Sequence, residues 1–303
     1  MNFSLSQIPS QQDKIAIVTG ANTGLGYETA LGLAKTGMKV VMACRNLEKA
    51  EQAKAQILAE APEAELEVMS LDLSELQSVR SFSEAFRQRH AQLNLLINNA
   101  GIMFPPYEVT EDGFESQFAV NYLSHFLLTA LLIDLMPDSS ESRVVSLSSN
   151  AHQFGRINFE DLQSERDYSA VGAYGQSKLA CLMFALELNR RLMAQGKKIL
   201  SVCAHPGLSE TELARHIPDW VQMLLRLTPL PLMSHPPKAA ALPTLCAALG
   251  PDVKGGEYFG PQGLFETSGE PGRAAIAKHA QDKAAAETLW KVSKKLVEWA
   301  KAS

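Results

Sequence analysis

The sequence has little positive charge, few cysteines and no long apolar run, and each shortage argues against a class of protein. Its 28 lysines and arginines are outnumbered by 33 aspartates and glutamates, which leaves a net charge of −5. A nucleic-acid or anionic-membrane partner would need a basic surface, so we expect neither. The four cysteines show no CxxC or Cys/His spacing. That pattern argues against a disulfide framework or a metal site and is typical of reduced thiols in a cytoplasmic protein.

Secretion and membrane insertion also lack their usual sequence signals. The N-terminal stretch MNFSLSQIPSQQDK has no basic region followed by an apolar one, as a secretory signal would. The most apolar run, residues 127–136, is shorter than the roughly 18 residues that a membrane span needs and is interrupted by Asp134. We therefore expect a soluble, cytoplasmic protein without a membrane span.

Strand-like and helix-like segments alternate along the chain. The apolar, strand-like segments are 15–19, 39–44, 65–73, 93–100, 143–149, 199–206 and 256–260. Helical patterns cover 25–35, 46–60, 75–90, 114–136, 172–195 and most of the tail, 283–303. Strands that are apolar throughout and alternate with helices favour a doubly wound parallel sheet. Because no linker-like stretch interrupts the pattern, residues 1–303 are predicted to form a single Rossmann-type α/β domain.

One segment, 208–237, departs from this pattern because it is rich in proline and in large apolar residues. It is predicted to be a substrate lid, since lids of this kind close over substrates. Its composition then favours a lipophilic or aromatic small molecule. Packing against the sheet and contact with a second subunit remain open as alternatives.

A glycine-rich turn, TGANTGLG (19–26), joins the first strand to the first helix. Glycines let the chain turn sharply and let backbone N–H groups approach a ligand closely. The N-terminus of the following helix favours an anion, so the turn predicts a site for the pyrophosphate of a dinucleotide.

The end of the second strand bears on which dinucleotide binds. An acid that binds the ribose 2′-hydroxyl of NAD(H) commonly lies there. This chain has Cys44 at that point, followed by Arg45, and no acid between residues 38 and 47. Because a guanidinium pairs with a 2′-phosphate, the pattern favours NADP(H).

The stretch YGQSK (174–178) places Tyr174 and Lys178 on one face of a helix. An ammonium about 6 Å from a phenolate stabilises it by roughly 3 kcal/mol at an effective dielectric of about 20. Tyr174 is therefore a candidate proton donor and acceptor, with Ser149 at a nearby strand end to hold the substrate oxygen.

Taken in order, these motifs resemble the short-chain dehydrogenase/reductase family over nearly the whole chain. TGANTGLG matches its glycine motif, LDL (71–73) its adenine-pocket element, NNAG (98–101) its central-strand motif, and HPG (205–207) with Thr211 its nicotinamide segment. The resemblance implies a catalytic set of Asn121, Ser149, Tyr174 and Lys178, in which Asn121 positions a water for proton relay. The cofactor-binding residues it implies are Gly20, Asn22, Thr23, Gly24, Leu25, Gly26, Arg45, Asp72, Leu73, Asn99, Ala100, Gly101, Tyr174, Lys178, Pro206, Gly207 and Thr211.

Within the family the chain is most similar to the retinol dehydrogenase-like branch, on segments such as CRNLEKAE (44–51) and GEYFGPQGLFE (256–266). That branch often carries a membrane anchor, which we do not expect here. The family commonly dimerises through two long helices, here 114–136 and 172–195, so a homodimer is an expectation. The implied activity is NADP(H)-dependent hydride transfer to a carbonyl or from an alcohol. A non-catalytic NADP(H) sensor or scaffold is the alternative, and a protochlorophyllide reductase-like enzyme is a more distant one.

Four other polar residues near these motifs call for interpretation. His125 lies in an apolar helix and is read as a core histidine with its hydrogen bonds satisfied. His205 is read as a strand-end residue without a direct chemical role, and His152 as a candidate for the substrate pocket. Ser148 is the rival of Ser149, because strand alternation points only one of them toward the cofactor.

Overall fold

The computed structural model describes residues 3–208 and 235–299. One eight-stranded sheet runs through the protein in the order β3-β2-β1-β4-β5-β6-β7-β8. All neighbouring strands are parallel except β7 and β8, which are antiparallel. The strands are β1 (Ile15–Thr19), β2 (Lys39–Cys44), β3 (Leu66–Ser70), β4 (Leu95–Asn98), β5 (Arg143–Leu147), β6 (Leu200–Ala204), β7 (Tyr258–Pro261) and β8 (Pro271–Arg273). This sheet, flanked by helices, confirms the predicted Rossmann-type α/β fold.

Helices cover both faces of the sheet. They are α1 (Gly24–Ala34), α2 (Leu47–Glu60), α3 (Leu76–Arg89), α4 (Ser116–Phe118), α5 (Ser124–Leu132), α6 (Ala170–Ala194), α7 (Pro237–Ala240), α8 (Leu242–Leu249) and α9 (Lys283–Trp299). Short 3₁₀ segments lie at Leu5–Gln7, Ile133–Leu135, Asn150–Gln153, Leu264–Glu266 and Lys278–Gln281. One apolar core packs α3, α5, α6 and α9 against one face of the sheet, and the other packs α1, α2 and α8 against the opposite face.

A five-residue π-helix, Ala119–Leu123, joins α4 to α5. The helical run Ser116–Leu135 that contains it has a mean hydropathy of 1.5 and is long and apolar enough to cross a membrane. It extends beyond the apolar run singled out in the sequence, 127–136. However, 67% of its most apolar window is buried inside the fold, as in the core helix of a globular protein.

Several strands end earlier than the apolar patterns predicted. β3, β4, β5 and β6 stop at Ser70, Asn98, Leu147 and Ala204, two or more residues before the predicted ends. After each of these points the chain leaves the sheet and builds its carboxyl-terminal edge, which is where doubly wound sheets bind ligands. β8 was not predicted, because three residues beginning Pro-Gly carry no strand pattern. The proposed lid lies almost wholly outside the described residues, at 209–234.

Candidate active site

The site lies at the carboxyl-terminal edge of the sheet, where β1, β4, β5 and β6 end side by side. The glycine turn follows β1, and the segment from Asn99 to Gly101 follows β4. Ser149 follows β5, and the Pro206–Gly207 turn follows β6. Helix α6 brings Tyr174 and Lys178 to the same edge, since Lys178 contacts the end of β5.

The glycine turn adopts a backbone that other residues tolerate poorly. Gly20 and Gly24 have φ of +66° and +54°, in the region that favours glycine. A Cβ on Gly26 would lie 2.1 Å from the Gly20 carbonyl oxygen, so the helix starts in direct contact with the turn. Thr23 is the N-cap of α1 but its side chain makes no capping bond. The Thr23 side chain thus leaves the first N–H groups of α1 uncapped, and the N-terminus of a helix favours an anion.

Thr19 holds the segment after β4 against the glycine turn. Its hydroxyl accepts from the backbone N–H groups of Asn99 and Ala100, both at 2.9 Å. The Asn99 amide donates to the Thr19 carbonyl at 2.7 Å, while its Oδ1 is buried without a hydrogen-bond partner. A Cβ on Gly101 would lie 3.3 Å from Lys178 Nζ, so this segment also borders Lys178.

Tyr174 and Lys178 are both buried, with 6% and 5% of their surface exposed. Lys178 Nζ donates to the Leu147 carbonyl at 3.1 Å and lies 5.8 Å from the centroid of the Tyr174 ring. The two side chains are therefore held close together inside the carboxyl-terminal edge of the sheet.

The two serines after β5 have different surroundings. Ser148 donates to the Lys178 carbonyl at 2.7 Å and is buried against α6. Ser149 is partly exposed, and its hydroxyl oxygen accepts from the Ala151 N–H at 3.2 Å. Its own proton is then available to a substrate oxygen, so the geometry favours Ser149 over Ser148.

Asn121 lies in the π-helix, a feature often found at functional sites. Its side chain accepts from the Ile102 N–H at 2.8 Å and donates to the Ile102 carbonyl and to Ser177 Oγ. The backbone carbonyl of Asn121 accepts from His125 Nδ1 at 3.0 Å and from Cys181 Sγ at 3.1 Å. Asn121 therefore ties the segment after β4 to α6.

His125 connects Asn121 to Thr19. Because its Nδ1 faces a carbonyl, Nδ1 must carry the proton and Nε2 must accept one. The Thr19 hydroxyl lies 2.9 Å from Nε2 and donates to it. Burial lowers the pKa of His125 from 6.5 to about 4, which agrees with a neutral ring. The reading of His125 as a satisfied core histidine fits this geometry, but its link to the site was not foreseen.

At the end of β2, Arg45 has 69% of its side chain exposed, and its Nε lies 3.8 Å from Asp72 Oδ2. The Cys44 thiol faces the backbone N–H groups of Ala21 and Asn22 in the glycine turn, and burial raises its pKa to about 11. The Leu73 carbonyl accepts from Ser124 Oγ at 2.7 Å. These contacts bring Arg45, Asp72 and the glycine turn to one corner of the site.

After β6, Gly207 has a φ of +74° and forms a turn with Pro206. A Cβ on Gly207 would lie 2.3 Å from the Thr267 carbonyl oxygen, so the turn packs tightly on the β7–β8 loop. The remaining predicted residue of this segment, Thr211, lies outside the described residues.

His152 is fully buried, and its Nδ1 lies 2.8 Å from the Ser149 carbonyl oxygen. Burial lowers its pKa. This contact supports the backbone at Ser149. Because His152 is buried there, its side chain does not line the part of the site that is open to a substrate. In residues 3–208 and 235–299, no three His, Cys, Asp or Glu side chains group as metal ligands.

Phe104 was missed by the sequence reasoning. It has a φ of +59°, which is rare for a bulky residue. Its ring packs edge-on against the Tyr174 ring, with the two ring centroids 5.2 Å apart. Gln117, which is fully buried, accepts from the Phe104 N–H at 3.0 Å and donates to Tyr168 Oη and the Ala170 carbonyl. No local pattern marks Phe104, because its conformation depends on residues distant in the chain.

Comparison with known proteins agrees with this geometry. The short chain dehydrogenase family matches residues 14–222. Human retinol dehydrogenase 12 is 41% identical over 285 residues, which are 94% of this chain and 86% of that protein. A crystal structure of a protein from Mycobacterium paratuberculosis is 38% identical, with 98% of each chain covered and a TM-score of 0.82.

A short chain dehydrogenase from Burkholderia cenocepacia, solved in complex with NADP, shares the fold at 20% identity. The likeness covers 82% of this chain and 95% of that one, with a TM-score of 0.63. The predicted family and its retinol dehydrogenase-like branch are thus confirmed. The chain belongs to the short-chain dehydrogenase family of oxidoreductase enzymes.

Proposed function

We propose that this enzyme transfers a hydride between NADP(H) and the carbonyl or alcohol group of a lipophilic or aromatic small molecule. The observation that carries the proposal is the buried pair of Tyr174 and Lys178 beside Ser149. The similar proteins support it, since one is named as a dehydrogenase of the alcohol retinol and another was solved with NADP.

Two buried polar groups at the edge of the sheet fit a dinucleotide. Asn99 Oδ1 is buried without a partner. The Lys178 ammonium is buried, donates to one carbonyl and forms no ion pair with any residue that the structure describes. Both groups are costly to bury as they stand, and the hydroxyl and amide groups of a nicotinamide nucleotide would satisfy them.

The residues that would hold the cofactor follow the strand ends. Residues 20–26 would hold the pyrophosphate, Arg45 the 2′-phosphate, and Asp72 with Leu73 the adenine. Residues 99–101, Lys178 and the Pro206–Gly207 turn would hold the nicotinamide nucleotide. When bound, this cofactor supplies or accepts the hydride.

The protein's own part is to move a proton at the substrate oxygen. In reduction, Tyr174 donates its hydroxyl proton to that oxygen while Ser149 donates a hydrogen bond to it. Lys178 stabilises the phenolate that Tyr174 leaves behind. Asn121 is proposed to position a water through which the proton is replaced.

Apolar side chains beside Tyr174 support a lipophilic or aromatic substrate. Phe104 packs edge-on against the tyrosine ring. Phe154, which is 54% exposed, packs on the neighbouring Gly175, where a Cβ would lie 2.8 Å from its ring.

Replacement of Tyr174 tests the proton chemistry. Tyr174→Phe keeps the ring but removes the proton donor, so turnover should fall by roughly 10²- to 10⁴-fold while NADPH still binds. The assay follows NADPH absorbance with a panel of aldehydes and ketones, and NADPH affinity is measured separately. Tyr107→Phe, at an exposed tyrosine, is the matched control. Activity of Tyr174→Phe within a few-fold of wild type would contradict the mechanism.

Replacement of Arg45 tests the cofactor. A hydrogen bond to a charged group contributes about 1.5–3 kcal/mol, and solvent screening of this exposed side chain favours the lower value. Arg45→Ala should therefore weaken NADPH binding by about tenfold and leave NADH binding nearly unchanged. Lys49→Ala, which removes an exposed cation from the start of α2, is the control. A wild-type protein that prefers NADH would overturn the assignment.

A further inference from the structure

We propose that His205 and Glu266 are positioning residues that hold the Pro206–Gly207 turn in the shape that binds the nicotinamide end of the cofactor. The inference rests on the proposed function, because it assigns this turn to the cofactor. His205 lies in the HPG motif and Glu266 in the segment 256–266, but neither is among the catalytic or cofactor-binding residues that the family resemblance implies. Together they connect the end of β6 to the loop between β7 and β8, residues 262–270.

The hydrogen bonds around His205 determine which ring nitrogen carries the proton. Gly207 N–H donates to Nδ1 at 3.3 Å, so Nδ1 is the acceptor. Nε2 then carries the proton and donates to Glu266 Oε2 at 3.2 Å. The other carboxylate oxygen of Glu266 accepts from the Ala275 N–H at 2.9 Å. One chain of hydrogen bonds thus runs from the turn through His205 to Glu266.

The protein is built closely around this histidine. His205 is fully buried. A Cβ on Gly260 would lie 1.9 Å from its Nε2, so β7 can pass the ring only with glycine at that position. The ring of Tyr258 lies 5.0 Å away and further restricts its movement. His205 therefore has one orientation in which it can accept from Gly207.

The loop that carries Glu266 has a strained backbone. Phe265 and Glu266 both have a φ of +53°, in a region that such residues rarely adopt. Strained backbones persist where the surrounding structure determines them fully, and they are frequent at functional sites. Here the Leu208 N–H donates to the Thr267 carbonyl at 2.7 Å, which joins the loop to the residue after the turn.

The same loop also reaches the substrate side of the site. The Asn150 side-chain amide donates to the carbonyls of Phe265 and Glu266, both at 3.3 Å. Asn150 directly follows Ser149, the proposed partner of the substrate oxygen. The loop therefore connects the cofactor turn to the residue next to Ser149, and disturbing it should affect both.

Two substitutions at His205 separate its two hydrogen bonds. The side-chain oxygen of His205→Asn can take the place of Nδ1 and accept from Gly207. The side-chain amide of His205→Gln can take the place of Nε2 and donate to Glu266, but the bond to the turn is lost. Glu266→Gln tests the other end, since one of its two accepting oxygens becomes a donor. Glu257→Gln, which changes a carboxylate paired with Arg273 at 2.6 Å, is the matched control.

The measurement is the dissociation constant for NADPH, by fluorescence titration of each purified variant. We expect His205→Gln and Glu266→Gln to raise it by about tenfold, His205→Asn by less than threefold and Glu257→Gln not at all. Nitrogen NMR of the wild-type imidazole should show the proton on Nε2.

Equal dissociation constants for His205→Asn and His205→Gln would overturn the inference, as would an unchanged value for Glu266→Gln. If Glu266→Gln fails to fold, the comparison between the two His205 variants still decides. A wild-type protein that does not bind NADPH would instead refute the proposed function, so the two failures are distinguishable.

Discussion

The neutral state of His125 has a measurable consequence for stability at low pH. Its folded pKa, about 4, lies below the ordinary value of 6.5 that an unfolded chain would show. As pH falls from about 6.5 to about 4, the unfolded state binds a proton at this position and the folded state does not. The free energy of unfolding should therefore decrease as the pH falls through this window. Above about pH 7 the protonation of His125 should add no pH dependence to it.

The size of the effect follows from the difference between the two pKa values. The difference between 6.5 and about 4 corresponds to roughly 3 kcal/mol, since one pKa unit is worth 1.36 kcal/mol. The main cause is burial, because a charged imidazolium would lose its hydration inside the protein. A protonated Nε2 also could not accept from Thr19. Lys178 adds a further, smaller cause, since its ammonium repels an imidazolium.

The test compares wild type with His125→Gln, which does not titrate. Urea unfolding at several pH values between 4 and 7.5 gives the pH dependence of stability for each protein. Other groups, such as His152, contribute equally to both, so the difference between the two slopes isolates His125. Parallel curves, or a carbon NMR titration of His125 in the folded protein with a midpoint near 6.5, would refute the reasoning.

Three other contacts lead to predictions. Phe104→Gly should lower kcat about tenfold, because glycine accepts the positive φ but removes the ring that orients Tyr174, whereas Phe104→Tyr should stay within threefold; equal kcat values in steady-state assays would argue against this role. Ser293→Ala should lower the free energy of unfolding by roughly 1–3 kcal/mol, since it leaves the buried Tyr122 hydroxyl without its partner at 2.7 Å. Urea unfolding should also show that adding Tyr122→Phe restores part of that loss, and strictly additive losses would contradict it. Finally, α9 lies across α5 and α6 with Trp290 packed on Phe126, which covers the two helices through which the resemblance implied a homodimer. In place of that expectation we predict that the wild-type protein sediments as a monomer; crosslinks between α5 helices of two subunits would show otherwise.

The sequence was most informative where a function depends on local spacing. Tyr174 and Lys178 lie on one helix, so their separation follows from helical geometry alone. The glycine turn follows from the steric freedom that glycine alone has. The strand positions followed from continuous apolar runs, because strands buried on both faces need apolar residues throughout.

Features that depend on contacts between distant segments could not be predicted in this way. Phe104 adopts a positive φ because Gln117 and Tyr174 hold it there, and neither is its neighbour in sequence. Glu266 is one acid among 33 acidic residues until the fold brings it to His205. The packing of α9 is similar, since the helical pattern of the tail predicted a helix but not which helices it would cover.

The protonation state of His125 links the two halves of the site. Thr19 accepts from Asn99 and Ala100 and donates to His125, which in turn donates to Asn121. Each bond fixes the direction of the next, because Thr19 has one proton to give and a neutral imidazole has one donor and one acceptor. The segment 99–101, which is proposed to bind the cofactor, and the π-helix that contains Asn121 are therefore ordered together. A substitution at either end should disturb the other, although the two ends lie on different strands and helices.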